Sequence, residues 1–150
     1  MSLFPYNTNV GNKLQTDTPG VTTARMAVAH LQVAAASATV ASTTGIHAAV
    51  TDTGSQQVVT TAITQPSVPR NITATAGGTA TDIKAIQVII AGTNYAGAAI
   101  TETLPAFTVD TAGTVTGSKA FKTVTSITIP AHDGTGATTA IGFGEKLGLP

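Results

Sequence analysis

The clearest pattern along the chain has period two and is concentrated in the second half. From Arg70 to Ala76, Ile72, Ala74 and Ala76 fall on one side and Asn71, Thr73 and Thr75 on the other, the alternation of a half-buried strand. Phe121 to Ile129 alternates likewise, with Phe121, Thr123, Thr125, Ile127 and Ile129 on one face and Lys122, Val124, Ser126 and Thr128 on the other. Between them, Lys84 to Ala91 contains the run Ile86-Gln87-Val88-Ile89-Ile90, as expected of a central strand covered on both faces. Ala98 to Leu104, stopped by Pro105, and Thr138 to Phe143 add two further strands. Gln56 to Thr64 is a Val/Thr-rich run ended by Gln65-Pro66-Ser67-Val68-Pro69, where proline cannot donate to a ladder.

The first half is less regular. Ala24, Val28, Leu31 and Ala35 fall at helical spacing, yet Val28, Val33, Val40, Ile46 and Val50 lie among Ser and Thr, and Gly45 interrupts the segment. Two short strands, Met26 to Val33 and Ile46 to Val50, are the preferred reading, with one Ala-rich helix as the alternative. Residues 1–20 show no sustained period and close on Pro19-Gly20, a turn signal. They read as an extended N-terminal arm, followed by one domain over residues 21–150. The arm nevertheless holds Leu3, Phe4, Tyr6, Val10 and Leu14. In a chain with six aromatic residues, two in such a segment point to docking onto a partner, with Leu3, Phe4, Tyr6 and Leu14 as the partner-binding residues.

Taken together, the pattern predicts an all-β fold: an antiparallel β-sandwich, Ig-like or barrel-like, of about seven to nine short strands separated by Gly/Pro/Asn/Asp turns. Composition strengthens this. Val and Ile (13 and 11) far outnumber Leu (6), and there are 30 Thr; branched side chains are stiff in helices and pack well on a pleated surface. Large side chains are scarce, so a lone domain buries modest area per residue. Burial against copies of itself or a larger partner is therefore expected.

Charge narrows the function. Seven basic and seven acidic residues give a formal net charge of zero, which provides no field to capture a phosphate backbone; no nucleic-acid partner is expected. There is no Cys, so a disulfide framework, a thiolate metal site and a thiol nucleophile are all excluded. No run of 18 apolar residues and no basic, apolar leader is present, so the expectation is a protein made in the cytoplasm, without a membrane partner.

The candidate chemistry is thin. His30, His47 and His132 are dispersed and read as solvated or core-edge residues, not as a metal site. Asp133-Gly134-Thr135-Gly136 lacks the alternating acids of a calcium loop and reads as a polar hairpin. Glu102 and Glu145 are explained by solvent-side strand positions and not by a facing pair of acids. There is no Gly-x-Ser-x-Gly elbow, Asn71-Ile72-Thr73 is a chance glycosylation triplet, and Tyr95 is the sole mid-chain ring for a sugar face. No catalytic residue, cofactor, metal or small-molecule substrate is expected.

Residues 65–150 carry a resemblance. Gln65-Pro66-Ser67-Val68-Pro69-Arg70-Asn71-Ile72-Thr73, Ala99-Ile100-Thr101-Glu102-Thr103-Leu104, Lys119 to Pro130 (KAFKTVTSITIP) and the closing Gly144 to Pro150 resemble a β-sandwich of structural proteins of tailed bacteriophages. The resemblance covers a little over half of the chain and consists of fold-building phrases. It implies a virion component, most simply a capsid decoration or cement protein on the outside of the mature head. Its partners would be the major capsid protein and copies of itself, in trimers. The alternative is a tail, collar or head-fibre module whose loops Gly92 to Gly97 and Ala131 to Gly136 contact a host surface.

Overall fold

The computed structural model describes residues 40–148. Eight strands form among them: β1 (Ser42–Thr51), β2 (Gln57–Val59), β3 (Arg70–Gly78), β4 (Ile89–Thr93), β5 (Ala99–Thr103), β6 (Gly113–Phe121), β7 (Thr123–Ile129) and β8 (Ala137–Leu147). They build two antiparallel four-stranded sheets, ordered β1-β8-β3-β6 and β2-β7-β4-β5. The all-β sandwich expected from the period-two pattern is what the chain forms. The postulated strand Met26 to Val33 and the arm with Leu3, Phe4, Tyr6 and Leu14 lie outside the described residues.

Only β4 and β5 are sequence neighbours that pair with each other. Every other consecutive pair of strands changes sheet. Apolar side chains of both inner faces meet between the sheets: Ile72 and Ile141 from one, Ile90 and Ile127 from the other, all fully buried. Each such side chain contributes about 1.5–3 kcal/mol of transfer free energy.

Several strand expectations change. The run Lys84 to Ala91 is not one strand; β4 begins at Ile89 and extends through Thr93. Ile83, Ile86, Val88 and Ile90 are buried while Ile89 is exposed, so β4 is covered on one face only. The segment before it lies across the core, held by hydrogen bonds such as Phe107 N–H to Ile86 O and Leu104 N–H to Val88 O. Gln56 to Thr64 shrinks to Gln57–Val59, and the chain turns at Ala62, whose φ is 54°.

Phe121 to Ile129 belongs to two strands, because the chain crosses from one sheet to the other at Lys122. Within β7 the alternation also fails. Ser126 pairs with Ala91 and Val124 with Gly92, leaving Thr125 as an extra residue, a β-bulge that changes which face follows. Val124 and Ile127 are consequently both buried. The β6 strand, Gly113–Phe121, was not expected at all; it is an edge strand of Thr, Gly and Ser with few apolar positions. In β3, Ile72, Ala74 and Ala76 are buried as expected, but Asn71 and Thr73 on the opposite side are buried too, at 1% and 5% exposure. That strand is not half-exposed where it begins.

Candidate functional site

Several of the polar side chains named as candidates for chemistry are engaged by the backbone. Glu102 is the clearest correction. It sits on β5 between Ile100 and Leu104, all three on the inward side, and is only 8% exposed. Its Oε1 accepts the N–H of Ser118 (2.7 Å) and the hydroxyl of Ser118 (2.9 Å), and both oxygens lie 3.2 Å from the Lys119 N–H. Lys119 Nζ reaches back to the carbonyl of Thr101 at 2.7 Å. Gly117 makes room, since a Cβ there would strike the carboxylate and Leu104. The inward charge thus joins the edges of the two sheets and occupies donors that an unprotected edge would present.

Asn71 does a related job inside one sheet. The flanking strands bulge on both sides of it: Arg70 and Ile72 pair with Leu147 and Phe143 on β8, while Asn71 and Thr73 pair with Ala120 and Thr116 on β6. Asn71 Nδ2 donates to the Gly117 carbonyl at 3.0 Å, and its Oδ1 accepts the Lys146 N–H at 3.0 Å. One amide side chain replaces ladder bonds lost to two bulges. Its amide nitrogen is buried and engaged, so the glycosylation triplet has no accessible acceptor.

Gln65 repeats the device at a sheet edge. Beyond the short β2, its amide accepts the Val124 N–H at 2.7 Å and donates to the Val124 carbonyl at 3.0 Å.

His132, expected at the surface or core edge, is 6% exposed. The Lys84 N–H donates to its Nδ1 at 3.2 Å. The ring proton therefore resides on Nε2, which donates to Thr139 Oγ1 at 3.0 Å. Its own N–H donates to Asp52 Oδ1 (3.0 Å), and Phe107 stacks on the ring at 6.0 Å. Burial lowers its pKa from the ordinary value, opposed by the charges of Asp52 and Asp133. Asp52 also accepts the Gly54 N–H, and Asp82 accepts the Gly136 N–H. Asp133 pairs with Lys84 at 2.9 Å on the surface, in the turn expected there. Among the described residues, no group of three or more His, Cys, Asp or Glu is placed to hold a metal ion.

Arg70 is buried with its guanidinium 5.0 Å from the Phe143 ring centre, and its Nε has no hydrogen-bond partner. Stacking on an aromatic face suits a planar, weakly hydrated cation.

Among the described residues, two surfaces are open to a partner. One is a groove of about 370 Å³ on the first sheet, lined by Ser42, Thr43, Thr73, Thr114, Thr116, Phe143, Glu145 and Lys146. The other is the outer face of the second sheet. There Val58 pairs with Thr128, Thr128 with Ile89, and Ile89 with Thr103. This rung, with Ser126, Ala91 and Thr101 beside it, carries no charge, and Val58 and Ile89 are 57% and 37% exposed. At the end of β4, Asn94 closes the turn to Ala98 through both backbone and side chain, leaving Tyr95 exposed with Lys122 Nζ 5.7 Å from its ring centre.

The sequence held one usable signal for Glu102, because the alternation Ile100, Glu102, Leu104 places it on an apolar face. It held none for His132 or Asn71, whose backbone partners at Lys84 and Lys146 are 48 and 75 positions away. No family model, no curated protein and no solved structure matches this chain.

Proposed function

We propose that the chain is a non-enzymatic structural protein of a tailed-phage virion, a decoration protein that binds the outside of the mature head and stabilises it. The observation that carries the reading is the uncharged outer face of the β2-β7-β4-β5 sheet, where Val58 and Ile89 flank Thr128. Such a face is suited to packing against a protein neighbour, with no charge to desolvate. The phrases that resemble phage virion proteins support the reading as well. The second of them forms β5 and the third forms β7 with the end of β6. The carboxylates Asp52, Asp82 and Glu102 accept backbone N–H groups, a structural use of their charge.

Binding of this kind does no chemistry. Many copies, as trimers, would bridge neighbouring capsid subunits and add interface free energy to the assembled shell. The arm residues Leu3, Phe4, Tyr6 and Leu14 would be the last to be buried. Quantitative protein analysis of purified particles tests this: hundreds of copies are expected, whereas around a dozen would replace decoration by a tail, collar or head-fibre role. Removing residues 1–15 should abolish binding to shells that lack the protein while the sandwich stays folded. Undiminished binding would remove the arm from the account.

A further inference from the structure

His132 is the meeting point of four segments. It lies in the connection from β7 to β8 and receives the Lys84 N–H on Nδ1. It donates from Nε2 to Thr139 of β8, holds Asp52 of the β1–β2 connection through its own N–H, and stacks on Phe107. The same two turns are fastened by Asp133 N–H to Asp82 O (3.1 Å), Gly136 N–H to Asp82 Oδ2 (2.9 Å) and the Lys84–Asp133 pair. The segment around Lys84 is in turn tied to the 107–110 loop, through Asp110 N–H to Ile83 O and Phe107 N–H to Ile86 O.

We infer that His132 is an acid-sensitive latch: its neutral, Nε2-protonated ring closes this end of the sandwich, and protonation of Nδ1 opens it. The proton would arrive where the Lys84 N–H already points, setting two donors against each other across 3.2 Å. No rotation of the ring repairs this, since an imidazolium has two donors and no acceptor. The charged groups around it are Asp133 on its own loop, Asp52 from the β1–β2 connection, and Asp82 and Lys84 from the segment before β4; Phe107 and Thr139 add none. Asp52 and Asp133 favour the imidazolium, but Asp52 is held by the His132 and Gly54 N–H groups and Asp133 by Lys84. Desolvation outweighs them, so the closed state binds the proton less readily than an exposed histidine does.

The direction follows from linkage. Above a pH of about 6.5 neither state is protonated and the latch stays shut. Below it the opened state takes up the proton first, and each further pH unit raises the opening constant about tenfold until the closed state also titrates. Opening lifts the 130–136 connection off residues 79–86 and exposes Ile83, Ile86 and Phe107, all now buried. This inference does not depend on the proposed virion role.

Amide hydrogen exchange of the full chain, corrected for the intrinsic effect of pH, tests it at about pH 7.5 and pH 5. Protection at Lys84, Asp133 and Gly136 should fall on acidification, while protection in the β3–β8 ladder stays. In His132→Asn, where the amide oxygen can accept the Lys84 N–H without titrating, protection should be insensitive to pH. A His47→Asn control should keep the acid response. Unchanged protection at Lys84 in the native chain, or an acid response that survives in His132→Asn, would overturn the latch. Should that variant not fold, ¹⁵N shifts of the native His132 ring decide: a neutral Nε2–H tautomer whose protonation coincides with loss of the Lys84 amide supports the latch. A titration that leaves that amide protected refutes it.

Discussion

The Glu102 carboxylate, carried by β5 of one sheet, accepts the backbone N–H of Ser118 on β6 of the other at 2.7 Å. It is a charge-assisted tie between the sheets, and such bonds are about twice as strong as neutral ones. Glu102→Ala removes every acceptor and should lower stability by about 2–3 kcal/mol. Glu102→Gln keeps one oxygen and should cost about 1 kcal/mol. Urea unfolding of both variants measures the difference; equal, near-zero losses would show that water replaces the carboxylate at this edge.

Asn71 needs both ends of its amide. Asn71→Ala leaves the Gly117 carbonyl and the Lys146 N–H without their partner in a buried place, at a cost of about 2–4 kcal/mol. Asn71→Asp should be no better, since a carboxylate cannot donate to Gly117 and its charge is buried. Thermal unfolding of the pair checks this. An aspartate variant as stable as the native chain would mean that the Gly117 bond contributes nothing.

Gln65 lies at an exposed edge, so solvent can take its place. Gln65→Ala should cost only about 1 kcal/mol. The informative readout is local: the Val124 amide, which donates to Gln65 Oε1, should exchange faster while its core neighbours do not.

Gly142 has no space for a side chain. The β1 chain folds across it, so that a Cβ would collide with the Ser42 carbonyl. The bulge responsible sits where Ser42 pairs with Phe143 and His47 with Ile141. Gly142→Ala should detach this part of β1 and destabilise by about 3 kcal/mol or more, seen as a lowered urea midpoint. Gly113→Ala, where nothing lies within 4 Å of the added methyl, is the matched control and should be close to neutral.

Local chemistry, read along the chain, was enough to establish the fold class. Branched residues at period two meet the geometry of a pleated strand directly, so β3, β5 and β8 stand out without knowledge of their partners. The inward face of β3, with Ile72, Ala74 and Ala76, is legible in the same way. What failed were features imposed from a distance. Thr125 shifts the faces of β7 only because Ser126 and Val124 are paired with Ala91 and Gly92. The β6 strand, poor in apolar residues, exists because β3 offers it a ladder. Asn71, Gln65 and His132 were ordinary polar letters until folding placed them against unpaired backbone groups. A buried N–H or carbonyl must find a partner, and which side chain supplies it depends on strands brought together from far apart in sequence. Local alternation is enough to make β-strands; contacts between distant strands set how they pair, where they bulge and which scarce polar groups close the gaps.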